Sequence, residues 1–222
     1  MKKKLFLSAL TGVVLIFAFP PFGFGFAAYY AFVPLMFALY GQTKPRALAL
    51  GFTAGFVFFL GTIYWVVYSM YYYGGVPVLI SIPVMFALAA YLGVYFALFG
   101  LFFAITSTRA PLARTVAIAT AWVSFEYVRG HLFTGFPWVL LGYSQMPYLP
   151  IIQIADITGV WGLSFIVIAV NAALFFTVKS WLNKEKKRPV YDTLSPPPLI
   201  RGDRGGVGEG WVREALAVFL IF

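Results

Sequence analysis

Apolar residues run along this chain in long blocks rather than in the narrow stripes of a soluble amphipathic helix. The blocks cover residues 5–19, 27–40, 47–68, 78–106, 112–128 and 160–182. Crossing the hydrocarbon core of a bilayer takes roughly 20 apolar residues, so each block predicts a membrane helix. The first two are short and flank Pro20-Pro21-Phe22-Gly23-Phe24-Gly25, a stretch that must turn. The fourth is longer than one crossing needs and is expected to tilt or to extend beyond the bilayer. A seventh block begins at Ala215 and reaches only to Phe222, so the chain is expected to stop inside a helix. The predicted fold class is all-α: a polytopic transmembrane bundle of six helices plus the start of a seventh. Its expected parts are a transmembrane domain over 1–182, a loop over 183–214 and the truncated helix over 215–222.

Composition agrees with that pattern. Of 222 residues 62% are hydrophobic, 20% aromatic and 10% charged, and the mean hydropathy is +0.88. Soluble domains carry roughly a quarter charged residues, so this chain cannot coat a water-facing surface. With no cysteine there is no thiol nucleophile, disulfide or Cys-ligated metal in the chain as written.

The net charge of +9 would point to nucleic acid in a soluble protein, but its distribution points to membrane orientation instead. With the N-terminus in the cytoplasm, fifteen of the sixteen Lys and Arg residues fall inside, from Lys2–Lys4 through Lys44, Arg46, Arg109 and Arg114 to the group between Lys179 and Arg213. Only Arg129 lies outside. The segment 183–214, with Ser195-Pro196-Pro197-Pro198 and Gly202-Asp203-Arg204-Gly205-Gly206, reads as a cytoplasmic low-complexity loop. Arg201-Gly202-Asp203 within it is read as accidental.

Two local patterns carry less. Lys2–Lys4 before an apolar block, with Gly25-Phe26-Ala27 after it, has the outline of a signal peptide, but the double proline and the following helix argue for a retained span. Gly51-x-x-x-Gly55 can allow close helix packing, and no function is placed on it.

Only two of the seven acidic residues, Glu126 and Asp156, lie in the membrane region. Ionisable groups there are costly, which makes them candidates for function. Glu126 and Arg129 share a helix face near the outer end of the fifth helix. They read either as an interfacial ion pair or as holders of a polar head group, and the two are compatible. The Gly- and Pro-broken stretch from 129 to 159 is expected to lie along the outer interface, with Trp138 and Tyr143 in the aromatic belt. In its functional reading it is a lipid-facing platform, where Arg129, Thr134, Ser144 and Gln145 bond phosphate or ester groups. His131, the single histidine, has no defensible Ser-His-Asp spacing and reads as a belt residue. Asn171 reads as an interhelical hydrogen bond.

Glu126-x-x-Arg129-Gly130, Phe133-Thr134-Gly135-Phe136-Pro137-Trp138 and Gly142-Tyr143-Ser144-Gln145 closely resemble the bacterial apolipoprotein N-acyltransferases. Gly159-Val160-Trp161-Gly162-Leu163-Ser164-Phe165 with Asn171, and Phe17-Ala18-Phe19-Pro20-Pro21-Phe22-Gly23, extend the likeness over about residues 5–182. The resemblance implies a multi-pass enzyme of the bacterial inner membrane that needs no cofactor. It implies that a Glu–Lys–Cys triad in a nitrilase-like domain takes an acyl chain from a phospholipid as a thioester. The diacylglyceryl-cysteine amine of an apolipoprotein then accepts that chain. The implied partners are those two lipid substrates and the membrane, with no nucleic acid and no metal. The implied lipid-binding residues are Glu126, Arg129, Thr134, Trp138, Tyr143 and Gln145.

The departure is the missing catalytic part. No catalytic residue carries over, and the chain alone is expected to be inactive; a frameshift, insertion or fragment would account for it. The competing classes are a non-enzymatic remnant or lipid-binding scaffold and, less favoured, a small-solute transporter. A transporter would place polar groups at the membrane midplane and often carry internal repeats, and neither is seen.

Overall fold

The computed structural model describes residues 1–106 and 111–186, with side chains as far as 183. Arg109, most of the segment 183–214, the Arg201-Gly202-Asp203 triplet and the expected helix at 215–222 lie outside the described residues. The chain divides into two units, Met1–Ala172 and Ala173–Phe222. The described residues are helical and include no strand.

Helix α1 (Lys2–Phe17) ends at the expected turn, where the Phe24 N–H closes back on the Phe17 carbonyl at 2.9 Å. The block at 27–40 is not one helix. A 3-10 turn at Gly25–Ala27 leads into α2 (Ala28–Ala31), and after Phe32 the chain restarts as α3 (Val33–Leu39). Pro34 has no N–H to give to the helical ladder, so the break falls where a backbone donor is lost. Such a break is tolerated in a bilayer only if other groups satisfy the freed backbone. Asn171 does this: its Oδ1 accepts the Phe32 N–H at 2.9 Å and its Nδ2 donates to the Ala28 carbonyl at 2.8 Å. The interhelical role expected of Asn171 is thus met by backbone partners.

The block at 47–68 is also divided. Helix α4 (Lys44–Thr62) stops at Ile63, whose φ of −108° and ψ of 13° leave the helix, and α5 (Trp65–Tyr72) begins anew. No residue of α5 is buried. Helix α6 (Val78–Ile105) follows. At 28 residues it is about 42 Å long, more than the hydrocarbon thickness, as its sequence anticipated. Then come α7 (Pro111–His131), 3-10 turns at Leu132–Thr134 and Leu141–Gln145, and α8 (Leu149–Ile152). The last helix, α9 (Ala155–Lys186), is interrupted at Gly159, where φ is +65°.

Among these helices α4, α6 and the 155–183 portion of α9 are long and apolar enough to cross a membrane. Between helices in lipid, close packing replaces the hydrophobic effect as the source of cohesion. Gly51 and Gly55 supply it: a Cβ on Gly51 would run into the Phe96 carbonyl of α6, and one on Gly55 would lie 2.7 Å from the Phe96 side chain. The Gly51-x-x-x-Gly55 spacing, on which no function was placed, therefore lies on the α4–α6 packing face. Beside it lies an aromatic core. The ring of Phe32, fully buried, is 4.7 Å from that of Trp122, 5.7 Å from Phe96 and 5.8 Å from Phe99.

In the second unit, the rings of Phe175 and Phe176 sit 5.1 Å apart, while Trp181 is exposed.

Candidate lipid-facing loop and its buried polar clamp

Helix α7 delivers Glu126 and Arg129, three residues apart, to one side of its last two turns. Both are only 3% exposed, and the nearest carboxylate–guanidinium approach is 4.0 Å. At that separation the pair is an electrostatic contact rather than a tight bidentate bond.

The same two atoms also turn to the loop that follows. Glu126 Oε1 accepts the Leu141 N–H at 2.7 Å, and Arg129 Nη2 donates to the Val139 carbonyl at 3.5 Å. The guanidinium also lies 5.2 Å from the centre of the Phe59 ring, a cation–π distance. The backbone of Arg129 contributes too, its carbonyl accepting the Phe136 N–H at 3.0 Å.

Farther along, Gly142 N–H donates to the buried Ser164 hydroxyl at 2.9 Å. Gln145 Nε2 donates to the Gly25 carbonyl at 3.0 Å and to Ser144 Oγ at 2.8 Å, and Ser144 Oγ donates to the Leu141 carbonyl at 2.6 Å. Gln145 and Ser144 are buried. The loop is thus tied to α7, to α9 and to the turn before α2.

These ties hold a backbone that would not stay in place unaided. Phe133, Thr134 and Val139 have φ of 52°, 73° and 49°, in the left-handed region that L side chains avoid at about 1–2 kcal/mol each. Gly135 at φ 82° is the one residue there that needs no such compensation, and a Cβ on it would strike the Gly130 carbonyl.

What the clamped loop presents outward is aromatic. Trp138 is 52% exposed and Tyr143 39% exposed, and Thr134 is also exposed. The Trp138 ring lies 5.2 Å from Phe136 and 6.2 Å from Trp65 at the start of α5. Next along the chain from Trp65, Tyr68, Tyr71, Tyr72 and Tyr73 are exposed. His131 stacks on Tyr127 at 4.2 Å and donates Nδ1–H to the Tyr127 carbonyl at 2.8 Å, so that nitrogen is occupied within its own helix.

The six sequence-predicted site residues therefore fall into two groups. Thr134, Trp138 and Tyr143 are on the surface, while Glu126, Arg129 and Gln145 are inside, bonded to backbone. Sequence reasoning passed over Ser164 and Trp122. Ser164 stood within the Gly159–Phe165 motif and was its one buried hydroxyl; Trp122 stands four residues before Glu126 on α7, a spacing that puts the two on one face.

Comparison with known proteins follows the same segment. The family described as the apolipoprotein N-acyltransferase N-terminal domain matches residues 11–173. Apolipoprotein N-acyltransferase of Geobacter metallireducens is 37% identical over 185 residues, which is 83% of this chain and 35% of that protein. The enzyme of the same name from Pasteurella multocida is 35% identical over 190 residues, covering 84% of this chain and 36% of its own length. That of Haemophilus ducreyi is 36% identical over 174 residues, 78% of this chain and 34% of its own length. The chain thus spans about a third of the length of the curated relatives it matches. With its apolar helices, its loop motifs and a match across residues 11–173, this membrane protein belongs to the apolipoprotein N-acyltransferase N-terminal domain family.

Proposed function

We propose that this chain serves as the membrane domain of a lipoprotein N-acyltransferase. In this reading the six apolar blocks between residues 5 and 182 cross the bacterial inner membrane, with the N-terminus in the cytoplasm. The 129–145 loop then faces the outer leaflet. The acyl chain comes from a phospholipid and passes to the N-terminal amine of a diacylglyceryl-cysteine apolipoprotein. The covalent steps belong to groups this chain does not contain, since it has no cysteine, and the chain alone is inactive.

Its share of the work is lipid positioning. Trp138, Tyr143 and Thr134 make the direct contacts, apolar rings against acyl chains and polar tips toward head groups. Glu126, Arg129 and Gln145 act through the loop they hold. One observation carries this reading: a loop strained at three non-glycine positions, tied down by buried polar side chains, still leaves a tryptophan half in the open. Backbone strain persists where the surroundings over-determine it, and it clusters at functional sites.

The test is a chimaera that joins residues 1–182 of this chain to the remainder of the Geobacter metallireducens relative. Acylation of an apolipoprotein substrate is expected. Trp138→Ala should lower it with accumulation unchanged. A chimaera that accumulates in the membrane but transfers no acyl chain from phospholipid would favour a non-enzymatic lipid scaffold instead.

A further inference from the structure

We propose that the outward groove between α1 and α4 binds an anionic phospholipid, its phosphate held by Lys2 and Arg46 and an acyl chain laid along Phe6, Val13 and Phe17. The two helices run side by side in the same direction. A Cβ on Gly12 would meet the Ala54 carbonyl and Val57, and one on Gly61 would meet Ile16, so a step of four along α1 matches a step of four along α4. Counting back at about 1.5 Å per residue puts Lys2–Lys4 and Lys44–Arg46 at one end of the bundle, level to within about one turn. Each helix turns one flank to the core. Thr11 Oγ1 on α1 accepts the Leu35 N–H of α3, and Gly51 and Gly55 on α4 meet Phe96 of α6. At about 100° per residue, the opposite flanks carry Lys2, Phe6, Val13 and Phe17 on α1 and Arg46, Thr53 and Val57 on α4. For two parallel right-handed helices these flanks open on the same side. The four α1 residues and Arg46 are exposed, and Thr53 and Val57 are half-buried.

Among the described side chains no carboxylate answers the positive charge at this end. Gly100, late in α6, packs on the Ala47 carbonyl, and Arg114 Nη2 donates to the Phe103 carbonyl at 3.4 Å, so α7 starts here too. The described carboxylates are those of Glu126 and Asp156. Glu126 is about 18 Å farther along α7, beyond the screening length of roughly 8 Å at physiological salt. Asp156 opens α9, whose next turns pack against Gly142 of the far loop. Basic clusters at a membrane surface attract anionic head groups. Phe6 lies one turn from Lys2, so charge and apolar track follow each other in the order of a phospholipid's head and tail, a match that a free anion lacks. The proposal rests on the membrane reading above but on no step of acyl transfer, since this groove mouth is at the end of the bundle remote from the 129–145 loop.

The test is native mass spectrometry of the full chain released from detergent, with dioleoyl phosphatidylglycerol or dioleoyl phosphatidylcholine added. Phosphatidylglycerol should be retained several-fold more than phosphatidylcholine, and Lys2→Gln with Arg46→Gln should erase the preference. Lys3→Gln with Lys44→Gln removes the same charge from positions that turn away from the groove, and should keep it. Val13→Glu puts a carboxylate in the acyl track and should lower retention although both cations remain. No preference in the parent chain, or full retention by the Val13 variant, would overturn the proposal. Equal loss in the two double variants would do the same by showing a diffuse basic surface, and displacement of the lipid by inorganic phosphate would show a free-anion site instead. None of these readings involves acyl transfer, so such a failure leaves the chimaera's outcome untouched.

Discussion

The Leu141 N–H and the Glu126 carboxylate, fifteen residues apart, meet at 2.7 Å in the protein interior. Through this bond a charged side chain of α7 fixes the path of a loop whose neighbouring residue, Val139, sits at φ 49°. Removing the carboxylate frees the Leu141 donor and strands Arg129. Breaking a buried ion pair from one side costs about 3–5 kcal/mol. Thermal unfolding in detergent should therefore place Glu126→Ala well below the parent chain. Glu126→Gln, which keeps an acceptor for Leu141, should fall between them.

Asn171 carries the second element in a comparable way. Asn171→Ala leaves the Phe32 N–H and the Ala28 carbonyl without their partners, at a cost of about 1–3 kcal/mol each where no water replaces them. Hydrogen exchange at Phe32 should accelerate markedly, while amides in the middle of α6 stay protected. Unchanged protection at Phe32 would mean that the break between α2 and α3 is held by something else.

The α4–α6 face gives a steric prediction. Gly51→Ala drives a methyl group into the Phe96 carbonyl, and overpacking of this kind costs about 1–3 kcal/mol. Gly41→Ala meets nothing within 4 Å but sits at φ 68°, so any loss there is backbone strain and not packing. Comparing their unfolding temperatures with that of Gly51→Leu separates the two causes. The larger side chain should aggravate only the packing defect.

The helix-rich fold was legible because blocks of apolar residues have few alternatives in water or lipid, and the irregular character of 129–159 followed from its Gly and Pro. The breaks inside the second and third blocks were not legible. An apolar run has the same appearance whether it is one helix or two, and the backbone bonds that permit the break in the second block come from Asn171, more than a hundred residues away. The sequence singles out residues of this loop and of its ties, but not which of them face outward and which are buried. Sequence motifs identify Glu126, Arg129 and Gln145 as special but carry no sign of whether a polar side chain meets a lipid or a buried backbone amide. Glycine spacing likewise acquired meaning only once Phe96 was found opposite Gly51 and Gly55.

Phe133 offers a test of strain kept for function. It is 81% exposed at φ 52°, so Phe133→Gly gives up little packing and relieves about 1 kcal/mol of backbone strain. The variant should unfold no earlier than the parent. In the chimaera it should nonetheless transfer acyl chains less well, because an exposed ring beside the Thr134–Trp138 segment has been lost. Lower stability with unaltered transfer would assign the ring to folding alone.

Sidedness is open to direct measurement. Reporter fusions at residues 75 and 145 should read as outside the cytoplasm and a fusion at residue 42 as inside. A cytoplasmic signal at 145 would put the loop on the wrong face for the outer leaflet.

The central claim, that a buried polar clamp holds the loop so that Trp138 meets lipid, is tested most directly by fluorescence. Two single-tryptophan versions of the chain, one retaining Trp138 and the other Trp122, are reconstituted in bilayers containing brominated phospholipid. Trp138, half exposed, should be strongly quenched, and Trp122, at 5% exposure, weakly. Adding Glu126→Gln should change the quenching of Trp138 more than that of Trp122. Equal weak quenching of both parent proteins would contradict the account, since the loop would then keep its tryptophan away from lipid.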